Sequence, residues 1–128
     1  MTHDDKNEIC VFCQKPIPRF KGWSYGNDDE HYADFVAFDK LGFTVHAHRP
    51  CADIMLKPFT KELDERMESV DMFSNKHDKI LEEWETVVAS VIHTVRLNRE
   101  GVSIRKITVK LNVSMYFVRQ ILNRLKQL

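Results

Sequence analysis

Two short motifs with identical spacing constrain this chain more than any other feature. In each of the motifs Cys10-Val-Phe-Cys13 and His48-Arg-Pro-Cys51, two soft ligands are separated by two residues. This spacing lets both side chains of a pair reach one metal ion from a tight turn, and two pairs complete the tetrahedron that structural zinc prefers. Because all three cysteines belong to these motifs, the sequence predicts a Zn²⁺ ion held by Cys10, Cys13, His48 and Cys51.

The identity of the fourth ligand has an alternative, since His46 also lies near Cys51. His46 and His48 share one face of a strand, so only one of them fits the last position, and the two-residue spacing favours His48. Three thiolates and an imidazole close the coordination sphere and leave no position for a catalytic water. The sequence offers no arrangement typical of a catalytic site either, so we expect a structural zinc and no enzymatic activity.

Around these ligands the chain resembles zinc domains of the treble-clef type. In those domains a Cys-x2-Cys knuckle and a short hairpin precede a His-x2-Cys pair that opens a helix. The gap of 34 residues between Cys13 and His48 is similar to that in the fingers of poly(ADP-ribose) polymerase and longer than that in LIM fingers. Residues 34–39 and 43–48 predict two strands joined by a tight turn at 40–42, and the resemblance implies a helix at 52–57. Treble clefs bind DNA, RNA and proteins alike, so the resemblance implies a fold and no particular partner.

The middle of the chain predicts two helices. Leu63, Met67 and Val70 follow helical spacing in the first. Asn75 as the cap and Asp78 in the first turn mark the start of the second, and Gly101 marks its end. The second helix carries a broad apolar stripe, which serves either an intramolecular core or a dimer seam, and we favour a homodimer. The stripe consists of Ile80, Leu81, Trp84, Val87, Val88, Val91, Ile92 and Val95.

A net charge of zero conceals a strong asymmetry. The charge is −2 from Met1 to Lys57, −4 from Pro58 to Glu100, and +6 from Gly101 to Leu128, where no acidic residue occurs. A basic segment beside an acidic remainder indicates a nucleic-acid contact confined to the C-terminus. The net acidic charge around the zinc ligands disfavours direct DNA binding there.

Residues 101–125 resemble the helix-turn-helix of bacterial and phage regulators. Ser103 and Ser114 are placed to cap its two helices, and Asn112 takes the turn position usually held by glycine. Thr108 stands where such motifs usually carry alanine, which adds bulk at the helix crossing. The five positions that the motif needs apolar are apolar: Ile107, Leu111, Val113, Val118 and Ile121.

The resemblance implies that the second helix enters the major groove by its N-terminal part. Its candidate base-contacting residues include the types that bond to guanine and adenine edges: Ser114, Met115, Tyr116, Arg119, Gln120 and Asn123. Basic residues around them are candidates for phosphate contacts: Arg105, Lys106, Lys110, Arg124 and Lys126.

Taken together, the sequence predicts an α+β protein: a small zinc-bound β-hairpin module (1–58), a helical segment (59–100) and a C-terminal helix-turn-helix (101–128). We expect a dimeric transcriptional regulator that binds double-stranded DNA. The alternative is a small phage-type protein that inhibits a host protein such as RNA polymerase or a defence enzyme. The polar, acidic N-terminus and the longest uncharged run of ten residues, Thr86 to Val95, lead us to expect a cytoplasmic protein without membrane contact, since a spanning helix needs about 20 apolar residues.

Overall fold

The computed structural model describes residues 8–17, 35–38 and 45–128 of the 128-residue chain. Short strands precede a larger helical part, which agrees with the predicted α+β class. None of the described helices is long and apolar enough to cross a membrane. The strands are β1 (Glu8–Ile9), β2 (Pro16–Ile17), β3 (Phe35–Phe38) and β4 (Val45–His48), and the helices are α1 (Arg49–Glu68), α2 (Asn75–Arg99), α3 (Ile104–Leu111) and α4 (Met115–Leu125).

The strands form two antiparallel pairs near the start of the chain. β1 pairs with β2, and β3 pairs with β4 in a register that places Phe35 opposite His48 and Phe38 opposite Val45. The predicted strands around 34–39 and 43–48 are therefore confirmed, while the predicted turn at 40–42 lies outside the described residues. A parallel bridge between Cys10 and His46 joins the two pairs.

Helix α1 continues directly from β4. The sequence predicts one helix at 52–57 and a separate helix that contains Leu63 and Met67, and both belong to α1. It runs without interruption through Pro58, and the predicted boundary after residue 58 falls inside it. A proline inside a helix removes one backbone hydrogen bond. The helix continues because Pro58 is solvent-exposed, while Met55, Leu56 and Thr60 on either side of it are buried in the core.

Helix α2 is the central element of the helical part. The Ser74 hydroxyl accepts a hydrogen bond from the His77 N–H at 3.2 Å, so the cap lies one residue before the predicted Asn75. Asp78 in the first turn is confirmed, and so is the glycine after the helix, since Gly101 has φ +88°.

The apolar stripe of α2 is buried largely within one chain. α2 packs against α1, α3 and α4, and its fully buried residues include Val91, Ile92 and Val95. The preference for a homodimer rests on a shortage of intramolecular partners for so long a stripe in a chain of 128 residues. Those partners exist, so homodimer formation stays a prediction without support from the stripe.

Helices α3 and α4 are joined by three residues whose conformation follows the sequence prediction. Asn112 adopts the left-handed conformation, with φ 55° and ψ 50°. The Ser103 and Ser114 hydroxyls cap the two helices by accepting hydrogen bonds from backbone N–H groups three residues later. The Thr108 hydroxyl, expected to crowd the crossing, donates to the Arg105 carbonyl at 2.6 Å.

One hydrophobic core connects the strands with the helices. Its buried members include Cys10 and Phe12 from the first turn, Met55 from α1, Ile92 from α2 and Ile121 from α4. The rings of Phe59 and Phe117 add an edge-to-face contact between α1 and α4, with centroids 5.2 Å apart.

We predict that Ile92→Ala lowers the free energy of unfolding by about 2–5 kcal/mol, because it opens a cavity at a fully buried position. Val109→Ala is the control, since Val109 is 78% exposed and its replacement is expected to change stability by about 0.5 kcal/mol or less. Denaturant titration followed by circular dichroism measures both. Equal effects of the two substitutions would contradict this packing.

Candidate metal centre

The first half of the site is a tight turn that follows β1. The Cys10 N–H donates to the Lys15 carbonyl at 3.0 Å, and the Gln14 N–H donates to the Cys10 carbonyl at 2.9 Å. Gln14 adopts a positive φ of 64°, which turns the chain back into β2. The Cys13 N–H points at the Cys10 sulfur at 3.5 Å, so the turn brings both sulfurs to one side.

The second half of the site lies where β4 passes into α1. His48 is the N-cap residue of α1, and Cys51 lies in the first turn of that helix. The Cys51 Sγ is 3.9 Å from the His48 Nδ1. This confirms the expectation that the His-x2-Cys pair opens a helix.

The two halves meet and form one compact group of ligand atoms. The Cys13 Sγ is 3.3 Å from the His48 Nδ1, and one ligand atom from each of Cys10, Cys13, His48 and Cys51 lies within 4.8 Å of all the others. Metal bonds of about 2.0–2.3 Å in a tetrahedron separate the ligands by roughly 3.3–3.8 Å. The four side chains therefore need only a small contraction to hold one metal ion.

A hydrogen bond on the far side of the His48 ring orients it for coordination. Its Nε2 lies 3.2 Å from the Pro16 carbonyl oxygen, which can only accept a hydrogen bond. This hydrogen bond requires a proton on Nε2, and a neutral ring in that tautomer presents the lone pair of Nδ1 to the cysteine sulfurs. Carbonyl partners of this kind fix the tautomer and the ring orientation of metal-binding histidines.

The thiols of Cys10 and Cys51 differ strongly in pKa. Burial raises the pKa of Cys10, but hydrogen bonds from the backbone N–H groups of Cys13, His48 and Phe12 outweigh it and bring the pKa down to about 7. Burial and the negative charge of Cys10 raise the pKa of Cys51 to about 12. A cation among the sulfurs removes this repulsion, because metal binding favours the thiolate form.

His46, the alternative fourth ligand, does not belong to this group of ligand atoms. Its backbone supports the site instead, since the His46 carbonyl accepts a hydrogen bond from the Val11 N–H at 2.8 Å. The structure therefore favours His48, in agreement with the spacing argument.

Arg99, at the end of α2, contacts the site although sequence analysis did not single it out. Its guanidinium donates to the carbonyls of Val11 and Phe12 between the two cysteines of the first turn. Burial lowers the pKa of Arg99, and the negative charges of Cys10 and Cys13 act in the opposite direction. In the sequence Arg99 has only the signature of a basic residue in the last turn of a helix, and nothing there indicates a partner 88 residues away.

The candidate DNA-contacting residues lie on α3, on α4 and at the two ends of α4, outside the metal-ligand group. Gln120 and Arg124 are half-buried, and the Arg124 Nε atom is buried without a hydrogen-bond partner in the described part of the chain. Arg124 lines a groove beside Asp64 and Glu68 of α1, so it lies among acidic as well as basic side chains. The remaining candidates are exposed: Arg105, Lys106, Lys110, Ser114, Met115, Tyr116, Arg119, Asn123 and Lys126.

Comparisons with protein-family models, with curated proteins and with solved structures found no match to this chain. The resemblance to treble-clef domains therefore stays a prediction that depends on the four candidate ligands. The resemblance to helix-turn-helix regulators stays a prediction that depends on the motif in residues 101–125.

We predict that His48→Ala abolishes stoichiometric metal binding, because it removes the imidazole from the four-ligand group. His46→Ala is the matched control, two residues along the same strand, and is expected to keep one metal ion per chain. Elemental analysis of the purified variants measures both. Metal retained in His48→Ala and lost in His46→Ala would assign the fourth position to His46.

Proposed function

We propose that this chain is a zinc-stabilised, sequence-specific DNA-binding protein that acts as a transcriptional regulator. The donor set supports zinc as the metal, since three cysteine sulfurs and one imidazole are a common ligand set of closed structural zinc sites. Such a site uses the metal for folding energy, because the four ligands occupy the whole coordination sphere.

The observation that carries the DNA-binding proposal is the outward face of α4. Tyr116, Arg119 and Asn123 recur at intervals of three and four residues, which places them on one side of a helix. All three are exposed, and Tyr116 is 73% exposed. They belong to the 28-residue C-terminal segment that carries a charge of +6 and no acidic side chain.

Residues on the opposite face of α4 are buried and hold the helix firmly against the rest of the protein. Val118 and Ile121 are fully buried, and Phe117 packs against the core. A helix anchored in this way can enter the major groove without reorganising its side chains, as the second helix of a helix-turn-helix does. Arginine and asparagine are the residue types that form bidentate bonds to guanine and adenine, respectively.

Residues of α3 complete the proposed DNA-binding surface. Arg105, Lys106 and Lys110 are exposed on this helix and are assigned to the phosphate backbone. Their charge supplies affinity that is independent of base sequence and decreases with salt. Arg124 is a weaker candidate than the sequence indicated, because acidic side chains of α1 line the same groove.

An interaction protein is the second candidate function, and the turn between α1 and α2 favours it. Phe73 is 88% exposed and Met72 is 64% exposed in this turn. Exposed apolar side chains in an acidic setting suit a contact with another protein, such as RNA polymerase or a defence enzyme. A second copy of the chain is also a proposed partner, because helix-turn-helix proteins commonly bind paired half-sites as dimers.

We predict that Arg119→Ala weakens binding to the preferred duplex by about 1–3 kcal/mol and relaxes the preference at one base pair. The preferred duplex is first selected from a pool of random duplexes by the wild-type protein at fixed salt. Lys106→Ala is expected to weaken binding to all sequences about equally and to reduce the salt slope by roughly one counterion.

Lys76→Ala is the control for both variants, since Lys76 is an exposed lysine near the N-terminus of α2. Fluorescence anisotropy titrations at several salt concentrations measure all three variants. Absence of any salt-dependent binding by the folded wild-type protein would reject the DNA-binding proposal and favour the interaction protein.

A further inference from the structure

Arg99 joins two parts of the chain that the sequence separates. It lies in the last turn of α2, and its two terminal nitrogens donate to the carbonyls of consecutive residues, Val11 and Phe12. Both carbonyls belong to the turn between Cys10 and Cys13. A planar guanidinium offers two donors in a fixed fork, whereas a lysine ammonium acts as a point charge. The contact therefore fixes the orientation of the turn as well as its position.

The turn has further anchors that Arg99 complements. The Val11 N–H donates to the His46 carbonyl at 2.8 Å, which holds the turn against β4. The Phe12 side chain is 1% exposed and lies in the common core. Arg99 binds the carbonyls of the same two residues from the side of α2. The turn is thus held by a strand, by the core and by the end of a helix.

The charge of the site gives Arg99 a second role. Three thiolates, a neutral imidazole and a divalent ion carry one net negative charge together. The guanidinium of Arg99, which binds the carbonyls between Cys10 and Cys13, places a positive charge beside the site that balances it.

The chain beyond Arg99 leads directly into the proposed DNA-binding unit. The Val102 N–H donates to the Leu97 carbonyl at 3.1 Å, and Ser103 caps α3. The position of the metal-binding turn is therefore connected with the end of α2 and, through a short ordered segment, with the start of α3.

We propose that Arg99 is a positioning residue of the metal centre, which balances its charge and ties the metal-binding turn to the helix that leads into α3. The proposal rests on the metal binding of the proposed function and is independent of DNA binding. It makes metal affinity depend on a residue that is not a ligand, and it makes the order of the α2–α3 junction depend on the metal.

The test compares the Zn²⁺ affinities of wild type, Arg99→Gln, Arg99→Lys and Arg66→Gln by competition with a chromogenic chelator. Partners outside the ligand set typically change metal affinity by about 10–100-fold, and we expect a loss in this range for Arg99→Gln. Arg99→Lys keeps the charge without the fork and is expected to restore part of the affinity. Arg66→Gln is the matched control, because Arg66 lies in the last turn of α1 and pairs with Glu83 on the surface.

Hydrogen exchange with and without Zn²⁺ supplies a second readout, which needs no DNA. In the wild type, removal of Zn²⁺ is expected to accelerate exchange at residues 96–107, whereas Arg99→Gln exchanges fast there in both states. Wild-type affinity in Arg99→Gln, or equal zinc-dependent protection in both proteins, would overturn the inference. If Arg99→Gln does not fold, the Zn²⁺ affinity of Arg99→Lys is compared with that of Arg66→Gln instead. A lower affinity of Arg99→Lys supports the inference, and equal affinities would overturn it. A wild type that binds no Zn²⁺ would instead reject the metal of the proposed function.

Discussion

The convergence of three cysteine sulfurs and one imidazole at a single point is the constraint on which the N-terminal part of this structure depends. The ligands come from a turn at residues 10–13 and from the junction of β4 with α1. Burial and the negative charge of Cys10 raise the pKa of the Cys51 thiol to about 12, so joint ionisation of these two groups is costly. Hydrogen bonds from the backbone N–H groups of Cys13 and His48 lower the pKa of Cys10, and a metal ion held by the four ligands would offset the remaining cost. Short strands alone would be marginal, since two-stranded ribbons are rarely stable in water.

The turn at residues 10–13 and the helical part share one hydrophobic core. Cys10 and Phe12 share a core with Val91, Ile92 and Ile121, so the apolar surface that covers the turn belongs largely to helices far along the chain. α1 strengthens this connection, because it begins at the metal ligands and ends beside α2 without a break at Pro58. Loss of the metal is therefore expected to affect the helical packing, and not only the residues that bind the ion.

The predictions that succeeded from sequence depended on local chemistry. The spacing of the cysteines and histidines, the capping serines and the left-handed Asn112 each involve residues within a few positions of one another. Long-range packing is what local chemistry did not predict. Pro58 indicates a helix end locally, but burial on both sides of it keeps α1 continuous. Arg99 binds carbonyls 87 and 88 residues away, and the α2 stripe finds its cover in the same chain, which no local pattern reveals.

The distribution of charge restricts how this molecule can approach a nucleic acid. The segment from Pro58 to Glu100 carries −4, and the segment that follows carries +6. Helix α2 has 25 residues, so its N-terminal end and the exposed Phe73 lie about 37 Å from the point where α3 follows. That distance exceeds the Debye length of about 8 Å at physiological salt. Phosphates near the start of α3 would therefore be attracted by the basic segment with little repulsion from the acidic side chains at the N-terminal end of α2, whereas the end of α4 lies beside Asp64 and Glu68 of α1. Met72 and Phe73 lie just before the N-terminal end of α2, so a contact at this turn does not compete with a phosphate contact at the start of α3.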